Sequence, residues 1–214
     1  DAAHCCLARA LDVGRIGDSA FVVFELAGGE HFDKALMGAE PAALAEALDD
    51  LLSAVGYLHA RGVIHGDLKP ENVRVAWKEG RPIVRLLDLG LARPPGRIGG
   101  GNTTYGAPEA VGGTATACSD LFSVGVMAFE VLSDGQLPFG DPSGCEYLSR
   151  LMQEEPIPLA EQVPAGLKEL VGRLLVKQTA IRYRSTAEAR AALRSAAPYP
   201  VLNKVAAALP SWFE

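Results

Sequence analysis

The sequence predicts an α+β fold that is mainly helical and contains one short β-hairpin. Residues 41 to 59 place leucines on one stripe at helical spacing, and a second helical pattern follows Asp120. Between them, Val73, Val75 and Trp77 alternate with other residues, a turn follows, and residues 83 to 87 form an apolar run, as expected of a hairpin. The chain has 214 residues, of which 49% are hydrophobic and 21% charged, so one folded domain is expected.

The charge and the apolar runs exclude several classes of partner. The 26 acidic and 20 basic residues give a net charge of −6, and no run of Lys and Arg offers a nucleic-acid surface. The apolar runs are far shorter than the roughly 18 residues of a membrane helix, so we expect no membrane segment. Nothing in the sequence indicates an oligomeric state.

Four cysteines are too few and too unevenly spaced for a disulfide framework, which favours a reducing compartment, the cytoplasm. His4, Cys5 and Cys6 are adjacent, but they lack the CxxC spacing of zinc sites and no second ligand pair follows. We therefore expect ordinary thiols here rather than a metal site.

Along the chain, residues 20 to 26 form an apolar run that predicts a buried strand, which Gly28 and Gly29 end with a turn. Pro41 near the start and Gly62 just past the end bound the first long helix. Residues 89 to 118 are rich in Gly, Pro and Thr without a period, so they predict an extended loop of functional importance.

Three further helices are predicted in the second half. Asp120 precedes a helix with apolar positions on several sides, which indicates the centre of the fold, and on sequence alone Asp120 is interpreted as its N-cap. Pro164 opens the next helix. Ser185 and Glu188 predict a capping box for a last helix that ends near Ser195, and the tail beyond it is weakly patterned.

Polar residues gather around the predicted hairpin. Asn72 immediately precedes its first strand and Asp88 immediately follows its second, so antiparallel pairing brings both to one end. Asp67 and Lys69 lie in the loop just before Asn72. Mg²⁺ binds through one or two carboxylates together with substrate phosphates, which leaves another carboxylate to accept a proton. This set of residues predicts phosphoryl transfer.

The same residues resemble the protein kinase family. The segments HGDLKPEN (65–72), DLG (88–90) and APE (107–109) are similar to the catalytic loop, the metal-binding triplet and the end of the activation segment, in the family's order. Residues 120–125 are similar to the start of the family's central helix, and Arg182 matches its late arginine. The resemblance covers roughly residues 4 to 195.

The resemblance implies a Ser/Thr protein kinase, of a bacterial kind, that uses ATP and Mg²⁺ and phosphorylates a protein substrate. In it Asp67 would be the catalytic base and Lys69 would stabilise the transferring phosphate, while Asn72 and Asp88 would hold Mg²⁺ and so the nucleotide. The Lys69–Pro70 pair resembles the serine/threonine branch more than the tyrosine branch.

Other residues take roles only through this resemblance. Backbone groups from Glu25 to Ala27 would bind adenine at the hinge between two lobes. His65 would be structural, and Glu109 would pair with Arg182. Asp120 would brace the catalytic loop from beneath, in addition to its interpretation as a cap.

The resemblance also implies a domain layout. Residues 1–30 would be the end of the small lobe and the hinge, residues 31–195 the mainly helical large lobe, and residues 196–214 a tail or linker. No lysine occurs in residues 1 to 33, so the Gly-rich loop and its lysine have no counterpart, and we expect this chain alone to transfer phosphate poorly.

Two alternatives stay open. The His-Gly-Asp of residues 65–67 is also similar to small-molecule phosphotransferases such as aminoglycoside and choline kinases, although these generally lack an Ala-Pro-Glu segment. The second alternative is a diverged, non-catalytic interaction module. Gly66, Leu89 and Asn102 depart from the residues common in protein kinases.

Overall fold

The computed structural model describes residues 4–88 and 103–196. In these residues the helices are α1 (Phe32–Leu36), α2 (Pro41–His59), α3 (Pro108–Val111), α4 (Ala117–Leu132), α5 (Tyr147–Gln153), α6 (Ala165–Leu174) and α7 (Thr186–Ala196). The strands are β1 (Ala10–Ile16), β2 (Ser19–Phe24), β3 (Glu30–His31), β4 (Val73–Lys78) and β5 (Arg81–Leu86). The predicted α+β class is confirmed.

The predicted hairpin is formed by β4 and β5, which pair antiparallel with Val73 opposite Leu86. Glu79 and Gly80 join them, and both have positive φ angles, 52° and 75°. A two-residue hairpin loop with two positive φ angles matches the right-handed twist of its strands. The short β3 adds a third strand through Glu30 opposite Val75, so the hairpin belongs to the sheet β3-β4-β5.

Helix α4 lies at the centre of the core, as predicted. Most of its side chains are buried, and it contacts α1, α2, α3 and α6. Helix α2 has the predicted bounds and buries one apolar stripe, with Leu44, Leu48, Leu51, Leu52 and Val55 at most 1% exposed. Burial of each such side chain contributes about 1.5–3 kcal/mol before the entropic cost of ordering it. Among the described residues, no helix has the length and apolar character needed to cross a membrane.

The prediction of a buried strand at residues 20 to 26 is wrong about burial. Strand β2 is present, but it pairs only with β1 in a two-stranded sheet of the described chain, and all its residues are exposed. An apolar run predicts a strand that is suited to burial. The strand is buried only if another sheet or helix packs against it. Strand β1 was not predicted.

The interpretation of Asp120 as the N-cap of α4 is also wrong. The helix begins one turn earlier, and Thr116 caps it in a reciprocal capping box with Ser119. The capping box predicted for α7 is half formed. Ser185 Oγ accepts the N–H of Glu188 at 3.2 Å, but the Glu188 carboxylate accepts the N–H of Arg184 instead of that of Ser185.

The extended loop predicted for residues 89 to 118 is wrong in its second half. Helix α3 and the first residues of α4 occupy part of residues 103–118. Residues 89–102 lie outside the described residues, and with them Leu89, Gly90 and Asn102. Most of the predicted tail, residues 197–214, lies outside them as well.

Candidate active site

Asp67 is held at the centre of a short polar loop between α2 and the hairpin. Its carboxylate Oδ2 accepts a hydrogen bond from Lys69 Nζ at 2.7 Å and one from Asn72 Nδ2 at 3.2 Å. Asn72 Nδ2 also donates to the Asp67 carbonyl at 2.8 Å. Asp67 is only 8% exposed, so a cation and an amide fix the orientation of a nearly buried carboxylate.

The hairpin positions Asn72 and Asp88 at one end, as its pairing predicts. Asn72 ends a 3₁₀ turn (Pro70–Asn72), and its carbonyl accepts the N–H of Leu87 at 2.8 Å. Leu87 immediately precedes Asp88, so the Asn72–Leu87 bond sets the backbone of both predicted metal ligands. Asp88 has a φ of 50°, a left-handed conformation that is uncommon outside glycine but enriched in Asp.

Charge links Asp88 to the rest of this loop. The hydrogen bond from Lys69 to Asp67 raises the pKa of the Lys69 ammonium against the opposing effect of burial, and the charges of Asp67, Glu71 and Asp88 raise it further. Lys69 therefore stays protonated at neutral pH. In the structure Lys69 and Asn72 contact Asp67 directly, and the charge of Asp88 acts on Lys69.

His65 supports the loop from inside the core. It is fully buried, its Nδ1 accepts the N–H of Asp67 at 3.3 Å, and its Nε2 lies 3.1 Å from the Leu87 carbonyl. Because a carbonyl only accepts, the proton must reside on Nε2, which donates to Leu87. His65 therefore joins the residue before Asp88 to the backbone of Asp67.

Asp120 lies beneath the same loop and fixes its backbone. Its two carboxylate oxygens accept the N–H groups of His65 and Gly66, each at 2.9 Å, and Oδ2 lies 2.7 Å from His59 Nε2. Asp120 is 1% exposed, so it satisfies two backbone donors in the interior. Gly66 has a φ of 75°, which explains why glycine suits this position: a side chain would be strained there.

The predicted Glu109–Arg182 pair is present. Arg182 donates to Glu109 Oε1 at 2.6 Å and Oε2 at 3.2 Å, and it is fully buried. Ser119 Oγ donates to the same Oε1 at 3.0 Å, a partner that the sequence analysis missed.

The hydrogen bonds of two tyrosines were also missed. Tyr105 OH donates to Glu130 Oε2 at 2.8 Å, and Tyr147 OH donates to the Thr104 carbonyl at 2.6 Å. A single tyrosine that belongs to no repeating pattern gives no sequence signal for such a bond. They tie the segment at residues 104 and 105 to α4 and α5.

The predicted adenine-binding residues lie just after β2. The Glu25 N–H donates to the Arg9 carbonyl at 2.9 Å, and Glu25 Oε1 accepts the Arg9 N–H at 3.1 Å. Arg85 of β5 lies 3.8 Å from the same oxygen, which links Glu25 to the strand that leads to Asp88. Ala27 is half-buried two residues further on.

Comparison with known proteins decides the family. A sequence profile described as the protein kinase domain matches residues 2–194. The chain belongs to the protein kinase family. It is 37% identical over 211 residues to the serine/threonine-protein kinase pkn2 of Myxococcus xanthus, covering 90% of this chain and 25% of that protein. It is 35% identical over 193 residues to the serine/threonine-protein kinase PknA of Mycobacterium tuberculosis, covering 84% of this chain and 44% of that protein.

A third relative is a probable serine/threonine-protein kinase, PknB of Lactococcus lactis, at 32% identity over 83% of this chain and 30% of that protein. The chain therefore spans a quarter to less than half of the length of these protein kinases. The profile and these relatives all concern protein kinases, and none of them favours the small-molecule phosphotransferase or the non-catalytic module.

Proposed function

We propose that the protein containing this chain is a Ser/Thr protein kinase that transfers the γ-phosphate of ATP to a hydroxyl of a protein substrate. The observation that carries the proposal is the contact of Asp67 with Lys69 and Asn72 at the end of the hairpin where Asp88 also lies. Bacterial relatives named as serine/threonine kinases support the acceptor class.

Asp67 acts as the base that orients the acceptor hydroxyl and takes its proton. Its nearly buried carboxylate is held by Lys69 and Asn72, so its orientation is set before substrate binds. Lys69 carries a positive charge 2.7 Å from that carboxylate, where it can stabilise the charge of the transferring phosphate.

The residues at the end of the hairpin fit Mg²⁺, which prefers hard oxygen ligands. Asn72 Nδ2 donates to Asp67, so Oδ1 is the amide atom that remains for a cation. The exposed carboxylate of Asp88 supplies the second oxygen donor. Bound there with ATP, Mg²⁺ would neutralise phosphate charge, while the protein sets the positions of Asn72 and Asp88.

In this proposal backbone groups from Glu25 to Ala27 bind adenine, as the resemblance to the kinase hinge implies. The ion pair of Glu25 with Arg85 links that segment to β5. We also propose a cytoplasmic location. The four cysteines are too few and too unevenly spaced for a disulfide framework, which supports a reducing compartment.

The experiment uses the protein as encoded in full, incubated with ATP labelled in the γ-phosphate and with generic protein acceptors, with and without Mg²⁺. We expect Mg²⁺-dependent labelling on Ser or Thr, identified by mass spectrometry of the products. Label on an aminoglycoside or choline without label on protein would contradict the proposed acceptor. Nucleotide binding without transfer to any acceptor would identify a non-catalytic module.

A further inference from the structure

His4, Cys5 and Cys6 form a compact group of metal-ligating side chains at the start of the described chain, and none of them is among the residues assigned to phosphoryl transfer. One ligand atom from each of the three residues lies within 4.8 Å of the other two. The expectation of ordinary thiols depended on the missing CxxC spacing. In the fold, the Leu7 N–H donates to the His4 carbonyl at 3.0 Å and closes a tight turn, which replaces the loop that CxxC would provide.

The spacing of the two sulfurs suits a shared cation better than a disulfide. The Sγ atoms of Cys5 and Cys6 are 3.6 Å apart. Two thiolates on one tetrahedral zinc ion, with Zn–S near 2.3 Å, lie about 3.8 Å apart. A disulfide needs about 2.05 Å, and the about 3.8 Å between adjacent Cα atoms falls below the usual disulfide range. Ligation therefore requires almost no movement of the sulfurs.

The His4 ring is already held as metal-ligating imidazoles are. Its Nε2 lies 3.1 Å from Ser53 Oγ on α2, while Nδ1 accepts the Cys6 N–H at 3.1 Å and so is the nitrogen on the side of the cysteines. Ligating histidines commonly use the second ring nitrogen to hydrogen-bond a group that fixes the ring.

Ligation requires that both thiols ionise. A bound cation displaces the thiol protons of Cys5 and Cys6, because the thiolate is the ligand.

We propose that His4, Cys5 and Cys6 form a three-ligand site for a thiophilic cation of the zinc type. One nitrogen and two sulfurs are soft or borderline ligands, which excludes Mg²⁺ and Ca²⁺ and suits Zn²⁺. Three protein ligands leave one position of a tetrahedral ion for water or another ligand. Binding replaces the hydrogen bond between Nδ1 and the Cys6 N–H and releases the thiol protons to solvent.

The site would join three parts of the fold. His4 is tied to α2 through Ser53, and the Cys6 carbonyl accepts the Leu86 N–H of β5 at 2.7 Å. A cation held by the turn therefore braces α2 and the strand that leads to Asp88. Because a ligand that binds the folded state alone stabilises it, occupancy should raise the thermal unfolding midpoint.

The test measures binding of Zn²⁺ alone to the 214-residue chain, reduced and freed of metal, by competition with a chromophoric chelator. Co²⁺ then serves as a spectroscopic probe of thiolate ligation. We expect one equivalent of Zn²⁺, a thiolate-to-cobalt charge-transfer band and a higher unfolding midpoint with metal. Cys5→Ser removes one of the two thiolates, so it should lower the intensity of the band by about half and weaken binding at least about tenfold. Ser53→Ala should weaken binding about 10-fold or more.

Cys145→Ser is the matched control, because Cys145 is an exposed cysteine in another part of the chain. It should leave the stoichiometry and the cobalt band unchanged. Cys5 is exposed, so its substitution should leave the fold intact, and circular dichroism verifies this. The proposal is overturned if the folded Cys5→Ser chain binds Zn²⁺ like the wild type, or if the wild type gives no cobalt–thiolate band. Loss of the bound equivalent in Cys145→Ser alone would also overturn it.

Discussion

Arg182 uses every donor of its buried guanidinium. Besides the two bonds to Glu109, it donates to the carbonyls of Cys118, Val176 and Lys177 at 2.7, 2.7 and 3.1 Å. These five hydrogen bonds match the five N–H groups of the side chain. Arg182 therefore joins the segment before α7 to Glu109 of α3 and to the first turn of α4.

Removing one partner of this ion pair should be strongly destabilising. Glu109→Ala leaves a fully buried cation without its counter-charge, which costs about 3–5 kcal/mol of unfolding free energy. Arg182→Ala should cost at least as much, because three carbonyls also lose a donor. The double variant should cost clearly less than the sum of the two single ones, as measured by denaturant unfolding. Additive losses would show that the two side chains do not interact.

Helices α4 and α6 approach closely at Gly125. A Cβ atom at this position would lie 2.7 Å from Leu174 Cβ and 3.2 Å from Leu175 Cδ2, both shorter than the about 3.5–4.0 Å at which packed carbon atoms rest. Gly172 of α6 offers the opposite case, since nothing lies within 4 Å of its hypothetical Cβ. The two glycines share a helical setting and differ in the space around them.

Alanine at these two positions should therefore have opposite effects. Gly125→Ala forces α4 and α6 apart and should destabilise the protein by about 1–3 kcal/mol. Gly172→Ala should stabilise it by about 0.5–1 kcal/mol, because alanine loses less backbone entropy than glycine in a helix. Thermal unfolding of the two variants beside the wild type checks this. Equal destabilisation by both would show that close packing at Gly125 is not the cause.

Elements whose apolar residues follow a regular pattern could be predicted from the sequence. Helix α2 has the bounds that its leucine stripe and Pro41 indicate. The hairpin follows from an alternating segment and an apolar run on the two sides of a turn. Helices α1, α3 and α5 were missed because 4 to 7 residues make less than two turns, too few for a period to emerge.

The residues of the candidate site also fall into those whose place the sequence predicts and those whose place it does not. The grouping of Asp67, Asn72 and Asp88 followed from the geometry of one hairpin. The role of Asp120 did not follow from local pattern, since its bonds reach residues 54 and 55 positions away in the chain. A carboxylate in the first turn of a helix predicts capping, and only the tertiary fold shows that it binds another loop.

Asp49 joins α2 to the last described helix across the molecule. It accepts bonds from Arg190 at 2.8 and 2.9 Å and from Arg194 at 3.3 Å. Burial alone would raise the pKa of Asp49, but the hydrogen bonds and charges of Arg190 and Arg194 outweigh it and hold the pKa below its ordinary value. The carboxylate is therefore more acidic in the folded than in the unfolded chain.

This shift predicts how stability depends on pH. A lowered folded pKa contributes stability that is fully present above the unfolded pKa, near 3.8, and is lost as pH falls through the folded pKa. Asp49→Asn should therefore lower the unfolding free energy at pH 7, and its difference from the wild type should shrink below about pH 4. Urea unfolding at pH 7 and at pH 3 measures both values.

Glu161→Gln, at an exposed carboxylate before α6, serves as the control and should have little effect at either pH. A difference between Asp49→Asn and the wild type that stays constant from pH 7 to pH 3 would show that the charge of Asp49 is not responsible.

The proposed kinase activity depends most directly on Asp67, so the decisive measurement is kcat for phosphoryl transfer by the full-length protein carrying Asp67→Asn. Asparagine keeps the size of the side chain and removes the base, so kcat should fall by about 10²–10⁴-fold while circular dichroism shows that the fold is retained. Asp134→Asn, at an exposed aspartate after α4, should keep the wild-type kcat. A folded Asp67→Asn protein that also keeps the wild-type kcat would contradict the assignment of Asp67 as the catalytic base.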